Sequence, residues 1–446
     1  MFERICILRY YIYYKYWLRF SNRVKLEQWQ QKKLKQHFRF VAKNSVLYKK
    51  KQYIENYPKI DKDFMMKNFD KLNTVNISRK EAEQFAVKAE RERNFVPKLR
   101  GITIGLSSGT SGRRGIFLVS EAERMRWAGY ILAKFLPGSI LNSYSIAFFM
   151  RADSNLYQSL GSKRIQFYFF DIYQDMEMHK RRLEDIKPQI LVGQPSILLM
   201  LAKEKAQGHL NIAPQRIVSI AEVLEKADEK WLKKIFRLQV IHQIYQCTEG
   251  CLATTCKYGT LHLNEDIVHI EREYLDEYRF VPVVTDFERK AQPIIRYRLN
   301  DILVESKKRC RCGSYCLALK KIEGREDDVF YFPGKDGIEK AVFPDFIRRC
   351  MLLAANESRG FLAQREKESE STNGRDGDYR VVQETDGKIT VYSDLTESEK
   401  WKVQKEFEKL AEEQGWMLPS IAFQPYLSEK GKKMKRVEKR TGDKRG

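Results

Sequence analysis

From residue 101 to about residue 293 the chain alternates short β-rich runs with amphipathic helical segments, and no other feature narrows its fold as much. Residues 145–150 and 190–193 read as strands. Residues 121–136 and 196–206 read as helices, with Pro195 suited to opening the second. Alternation of this kind means a layered α/β domain. Ahead of it, residues 24 to about 51 are rich in Lys and Gln and carry apolar residues at helical spacing, among them Leu34, Phe38 and Val41. They predict a helical lead-in occupying about residues 1–60. A second unit is expected to begin after the run Gly324, Arg325, Glu326, Asp327 and Asp328. It contains a polar stretch over 367–378, strands over 379–382 and 389–392, a helix over 397–414 and a further strand at 421–423. The expected division is 1–326 for a large domain and 327–446 for a small α+β one, with a basic tail from Lys430 that is expected to be mobile at its end.

Composition then limits the function classes. With 446 residues, 43% of them hydrophobic and 12% aromatic, the chain can bury a substantial interior, and two or three domains are expected. Its 82 Lys and Arg against 59 acids give +23, which raises nucleic acid or an anionic membrane as a partner. The basic residues are spread through most of the chain and form no base-reading motif, so nucleic acid is not the expected partner. Residues 1–18 are apolar and aromatic but interrupted by Glu3, Arg4, Arg9 and Lys15, which fits neither a spanning helix nor a signal peptide. A first helix packed on its own domain is expected, with a peripheral membrane contact as the alternative. The expected compartment is the cytoplasm.

The run Ser107, Ser108, Gly109, Thr110, Ser111, Gly112 lies between two strand-like stretches, 102–104 and 116–119, at the tip of a predicted β-hairpin. Hydroxyls that donate to phosphoryl oxygens, glycines that admit backbone N–H groups, and Arg113 or Arg114 nearby suit a phosphate cradle. A plain Ser/Gly hairpin turn is the other reading. The Walker-type loop is excluded by both spelling and context. Further on, Tyr245, Thr248 and Glu249 close a strand-like run with an aromatic ring able to stack a base, a hydroxyl, and a carboxylate able to hold Mg²⁺, the other reading being a buried Tyr with a solvated Glu. Asp301 follows another such run and can accept both hydroxyls of a ribose, unless the segment is an ordinary turn.

The order of these clusters, followed by Gly324-Arg325-x-Asp327-Asp328, resembles the adenylate-forming superfamily of acyl-CoA synthetases, luciferases and peptide-synthetase adenylation domains. The short chain, the helical lead-in and the segment 259–266 resemble more narrowly the phenylacetate–CoA ligase and deazaflavin-cofactor synthetase branch. The resemblance runs from about Leu26 to Arg440. It implies ATP and Mg²⁺ as cofactors, a small carboxylic acid as substrate, and coenzyme A or a carrier-bound thiol as acceptor. By the same resemblance Ser107, Ser108, Gly109, Thr110, Ser111 and Gly112 would hold the ATP phosphates, and Ala221 and Glu222 would lie beside adenine. Tyr245 would stack on the base, Thr248 would touch the α-phosphate, and Glu249 would bind Mg²⁺. Asp301 would hold the ribose, Arg325 the ribose or phosphates, and Asp327 would be the hinge of the small domain. Near the C-terminus the family's catalytic lysine follows a Gly-Lys-x-x-Arg pattern, for which the chain offers two registers. Lys433 keeps the spacing to Arg436 and is chosen over Lys432, which keeps the glycine. The family's phosphate loop continues Pro-Lys where this chain has Arg114 and Gly115. That departure leaves open a weakly catalytic nucleotide-binding scaffold docked on an acidic carrier, polymer or membrane. The acid pocket is expected over residues 148–157, where Arg151 is either a recognition residue or a surface charge.

Six of the eight cysteines fall between Cys247 and Cys316. Cys256, His262, Cys310 and Cys312 supply three thiolates and an imidazole, a set suited to a structural Zn²⁺, with Cys251 or Cys316 as substitutes and buried free thiols as the alternative. Disulfides are not expected in a reducing compartment.

Overall fold

A computed structural model of the chain describes residues 2–51, 53–107, 114–150, 163–357, 378–426 and 435–440. They fall into two compact units, residues 1–299 with 303–322, and residues 300–302 with 323–446.

The first unit is organised by a twelve-stranded sheet. One half is parallel and runs, in spatial order, Ile165–Asp171, Tyr144–Met150, Ile190–Gly193, Arg216–Ile220 and Ile241–Cys247. Parallel strands need crossovers, and the helices Met176–Ile186, Pro195–Ala206 and Lys226–Phe236 supply them. Because both faces are covered, these strands are apolar on both sides. Ala147 and Phe149 pack with Leu191, Leu198 and Leu232 in one core. Ile146 and Phe148 turn to the other face and join Val192, Val218 and Ile131.

The N-terminal segment belongs to that second face. Helix Phe2–Ile12 lies against helix Glu121–Phe135, and Gly129 is the reason it can: a Cβ there would stand 2.5 Å from Tyr10 Cβ and 2.7 Å from the Ile7 carbonyl oxygen. Tyr14 meets Tyr130 edge-on at 4.8 Å, and Arg124 pairs with Glu3 at 2.7 Å. Among the described residues no helix is long and apolar enough to cross a membrane.

Beyond Ile241–Cys247 the sheet becomes antiparallel through Gly250–Thr255 and Leu261–Leu263, and continues to Ala318–Arg325, Asp301–Glu305, Arg279–Asp286 and Val268–Tyr274. Ile294–Arg298 pairs with Arg279–Asp286. A separate hairpin, Thr103–Leu106 with Ile116–Val119, pairs Leu106 with Ile116 at the mouth of the Ser/Gly run.

The second unit has a hairpin, Phe330–Pro333 with Glu339–Val342, a helix Pro344–Glu357, and a four-stranded sheet covered by helix Glu397–Gln414. Thr396 and Glu399 form a reciprocal cap at the start of that helix, and Phe332 stacks on the buried Trp416 at 4.6 Å. Within the basic tail the structure holds a strand that the sequence does not signal. Val437–Lys439 is a strand, parallel to Arg380–Gln383, with Val437 buried opposite Val381. An ion pair between Arg380 and Glu438 and another between Arg436 and Asp378, at 3.0 Å, offset its charge.

Candidate functional site

Two neighbouring parallel strands present their carboxyl ends side by side, the place where open α/β sheets bind ligands. Arg216–Ile220 and Ile241–Cys247 are in register from Ile217 with Ile241 to Ile220 with Ile244. The first strand runs out into Ala221 and Glu222, the second into Thr248 and Glu249. Ala221 adopts φ 65°, a left-handed conformation that costs a non-glycine residue energy and that the Ile220–Glu222 backbone bond of 2.8 Å holds in place. The Glu222 carboxylate accepts from the Ser196 N–H and from its hydroxyl, both at 3.2 Å. Glu222 therefore caps the helix Pro195–Ala206, a role its sequence position does not suggest.

Tyr245 lies within the strand rather than at its end, half-buried, with Ala253 opposite on the returning strand. The ladder slips by one residue between Tyr245 and Gln246 and then closes on Cys247 and Gly250. Thr248 and Glu249 are left as a two-residue turn. Glu249 is 9% exposed, and its carboxylate hydrogen-bonds the Tyr297 hydroxyl. Burial, and then the Glu249 charge, keeps the Tyr297 phenol protonated well above its ordinary range. A carboxylate so oriented, with lone pairs to spare, fits a hard divalent cation.

What ties this turn to the Ser/Gly hairpin is one guanidinium. Arg289 donates from Nη1 to the Thr248 carbonyl at 3.0 Å and from Nη2 to the Leu118 carbonyl at 3.1 Å. Leu118 belongs to the strand Ile116–Val119 that leaves the Ser/Gly run. Around that strand Gln292 accepts from the Leu118 N–H at 2.8 Å and donates to the Ile116 carbonyl at 3.1 Å. Glu123 accepts from the Lys290 and Ala291 N–H groups at 2.6 and 3.2 Å. Behind the turn, burial pushes the Asp286 carboxyl up to about 7, while Arg289 pulls in the other direction.

At the neck of the hairpin, Ser107 N–H bonds the Gly115 carbonyl at 2.8 Å and Ser107 Oγ accepts from the Gly115 N–H at 2.7 Å. Arg114 bonds the Ser107 carbonyl at 2.9 Å and forms a two-pronged pair with Glu90 on helix Arg79–Arg91. It braces the neck from outside. Ser108, Gly109, Thr110, Ser111 and Gly112 lie outside the described residues, as do Arg113, residues 151–157 of the expected acid pocket, and both Lys432 and Lys433.

The remaining nucleotide candidates belong to the second unit. Arg325 Nε lies 3.9 Å from Asp301 Oδ1, which brings these two together. Asp327 sits in the short helical turn Glu326–Asp328 and accepts from Asn300 Nδ2 at 2.6 Å. Asp328 is buried and paired with Lys435 at 2.7 Å.

Cys256, His262, Cys310 and Cys312 converge, with one ligand atom from each lying within 4.8 Å of the others. Neither proposed substitute joins them. Cys251 is buried, and its sulfur accepts from Asn264 Nδ2 at 3.3 Å; Cys316 contributes only its carbonyl oxygen, 3.1 Å from His262 Nδ1.

No protein-family model matches the chain. Indoleacetate–lysine synthetase of Pseudomonas savastanoi is 28% identical over 272 residues, covering 56% of this chain and 63% of that protein, so the match spans less than two thirds of the relative. A solved 2-hydroxyisobutyryl-CoA ligase, captured in its postadenylation state with an acyl-AMP, superposes with a TM-score of 0.64 at 14% identity over 91% of this chain and 88% of its own. GH3.15 acyl acid amido synthetase superposes with a TM-score of 0.57 at 11% identity over 89% and 86%. The expected fold class, a large α/β unit with a small second one, is thereby borne out, and the resemblance read from the motifs is matched by a likeness in fold.

Proposed function

We propose that this chain, which has the adenylate-forming fold, activates a small carboxylic acid with ATP and passes the acyl group to an acceptor nucleophile. The observation that carries this reading is the Arg289 bridge, which fixes the Thr248–Glu249 turn and the outgoing strand of the Ser/Gly hairpin to one another.

In the first step a carboxylate oxygen attacks the α-phosphorus of ATP; the new O–P bond forms as the bond to the β-phosphate bridge breaks and pyrophosphate leaves. Both reactants are anions, so the barrier is one of charge and alignment. Holding them in line contributes about 7–11 kcal/mol, and no side-chain nucleophile is required. Ser107, Ser108, Gly109, Thr110, Ser111 and Gly112 cradle the phosphates, and Thr248 donates to the α-phosphate. Ala221 and Glu222 border adenine, on which Tyr245 stacks. Glu249 would hold Mg²⁺, which supplies charge neutralisation at the phosphates when bound. By the same resemblance Asp301 and Arg325 are assigned to the ribose, Asp327 to the hinge of the small domain, and Lys433 to the role of the catalytic lysine. In the second step the acceptor attacks the carbonyl carbon, AMP leaves, and the acceptor's proton goes to solvent.

For the acceptor we favour a thiol, coenzyme A, in line with the resemblance of the helical lead-in and the segment 259–266 to the phenylacetate–CoA ligase branch and with the CoA-ligase fold neighbour. The sequence match to an amide-forming synthetase supports a second reading, an amine acceptor. Acid-dependent exchange of labelled pyrophosphate into ATP, run over aryl, indolyl, hydroxy and fatty acids, tests the first step. The acids that support exchange are then offered CoA or lysine. Exchange with at least one acid is expected; exchange that survives both Glu249→Ala and Lys433→Ala overturns the residue roles.

A further inference from the structure

We propose that Cys256, His262, Cys310 and Cys312 hold one structural Zn²⁺, which clips the loop between strands Asp301–Glu305 and Ala318–Arg325 onto the turn between Gly250–Thr255 and Leu261–Leu263. The distances are those of a tetrahedral centre. Bonds of about 2.3 Å to sulfur and 2.0–2.1 Å to nitrogen separate two thiolates by about 3.8 Å and a thiolate from an imidazole nitrogen by about 3.6 Å. Cys256 Sγ lies 3.7 Å from Cys310 Sγ, and Cys312 Sγ lies 3.4 Å from His262 Nε2.

The surroundings are built for the same purpose. His262 Nδ1 stands 3.1 Å from the Cys316 carbonyl, which places its proton there and leaves Nε2 as the metal-facing nitrogen. Each sulfur accepts a backbone N–H from two residues downstream: Cys256 from Tyr258 at 3.4 Å, Cys310 from Cys312 at 3.5 Å, and Cys312 from Ser314 at 3.4 Å. Two turns deliver the ligands in the same way. Gly259 N–H closes on the Cys256 carbonyl at 3.0 Å and Gly313 N–H on the Cys310 carbonyl at 3.2 Å, with φ of 81° and 79° that suit glycine. Three thiolates leave a bound Zn²⁺ with one net negative charge, and Lys257, Arg309 and Arg311 adjoin the ligands in sequence. Arg311 also lies over the Tyr258 ring at 4.2 Å, bridging the two turns from outside. Residues 306–317 form no helix or strand, so a metal clip supplies the anchoring that a core supplies elsewhere.

The test is metal analysis of the full chain purified under reducing conditions, followed by exchange of the metal for Co²⁺. About one zinc per chain is expected, together with the intense visible bands of tetrahedral thiolate-bound Co²⁺. Cys6→Ser leaves both unchanged, and Cys256→Ser with Cys310→Ser reduces both at least tenfold. Should that double variant fail to fold, Cys256→His retains a ligand and is expected to keep Co²⁺ with a shifted spectrum. Removing the metal from the wild type exposes Arg309 and Arg311 to trypsin. Zinc well below stoichiometry with no cobalt bands in the wild type, an unshifted spectrum in Cys256→His, or a Cys256–Cys310 disulfide in the purified chain would each overturn the assignment.

Discussion

Arg289 joins two parts of the candidate site, since one guanidinium bonds both the Thr248 carbonyl and the Leu118 carbonyl on the strand leaving the Ser/Gly run. Arg289→Ala is expected to lower pyrophosphate exchange about 100-fold, the scale of a misplacement of about 1 Å, mainly through kcat. Arg289→Lys, which can reach only one carbonyl at a time, is expected to recover part of the loss; equal losses in both variants with unchanged thermal stability would contradict the bridging role. Nothing in the sequence marks this arginine, because it sits in a charged turn, Phe287 to Lys290, that reads like any solvated loop. Glu222 shows the opposite case, a residue named for adenine whose carboxylate caps a helix. His37 offers a test of stability alone. Burial, aided by Lys290, holds its imidazole down to about 3, and neither ring nitrogen has a hydrogen-bond partner among the described residues. The folded value lies below the unfolded one, so this stability is complete above about pH 6.5 and drains away as pH falls toward 3. Between pH 7 and pH 5 the wild type is expected to lose about 2 kcal/mol that His37→Leu does not, read as the difference between their denaturant midpoints.

Among elements, the strands and helices of the alternating region were legible because their apolar patterning is continuous and their ends are signalled. Pro195 opens its helix, and Ser120 with Glu123 caps helix Glu121–Phe135. The strand Val437–Lys439 was not, because a single buried valine among charges carries too little pattern to outweigh a basic tail. The hairpin Phe330–Pro333 with Glu339–Val342 went unread for a related reason: only Phe330, Phe332 and Val342 face the core. At this scale Gly129 is decisive for the N-terminal helix, which lies on it backbone to backbone. Gly129→Val is expected to cost several kcal/mol, of the kind seen when a packed core is overfilled, and to expose residues 2–12 to rapid hydrogen exchange while the parallel strands stay protected. Protection of residues 2–12 equal to wild type would show that the contact does not hold the helix.

For the whole molecule, the layered α/β fold was legible from alternation, whereas the acid and the acceptor were not. Specificity resides in pocket shape and in a few polar groups with no fixed spelling, and of the expected acid pocket, 148–157, the structure describes residues 148–150. The central claim concerns which bond forms, and isotope transfer reads that bond directly. With a substrate acid labelled with ¹⁸O in its carboxylate, turnover by the wild-type chain in the presence of ATP and acceptor is expected to place one labelled oxygen in the phosphate of AMP. Label in inorganic phosphate, or product formed with none in AMP, would contradict adenylation.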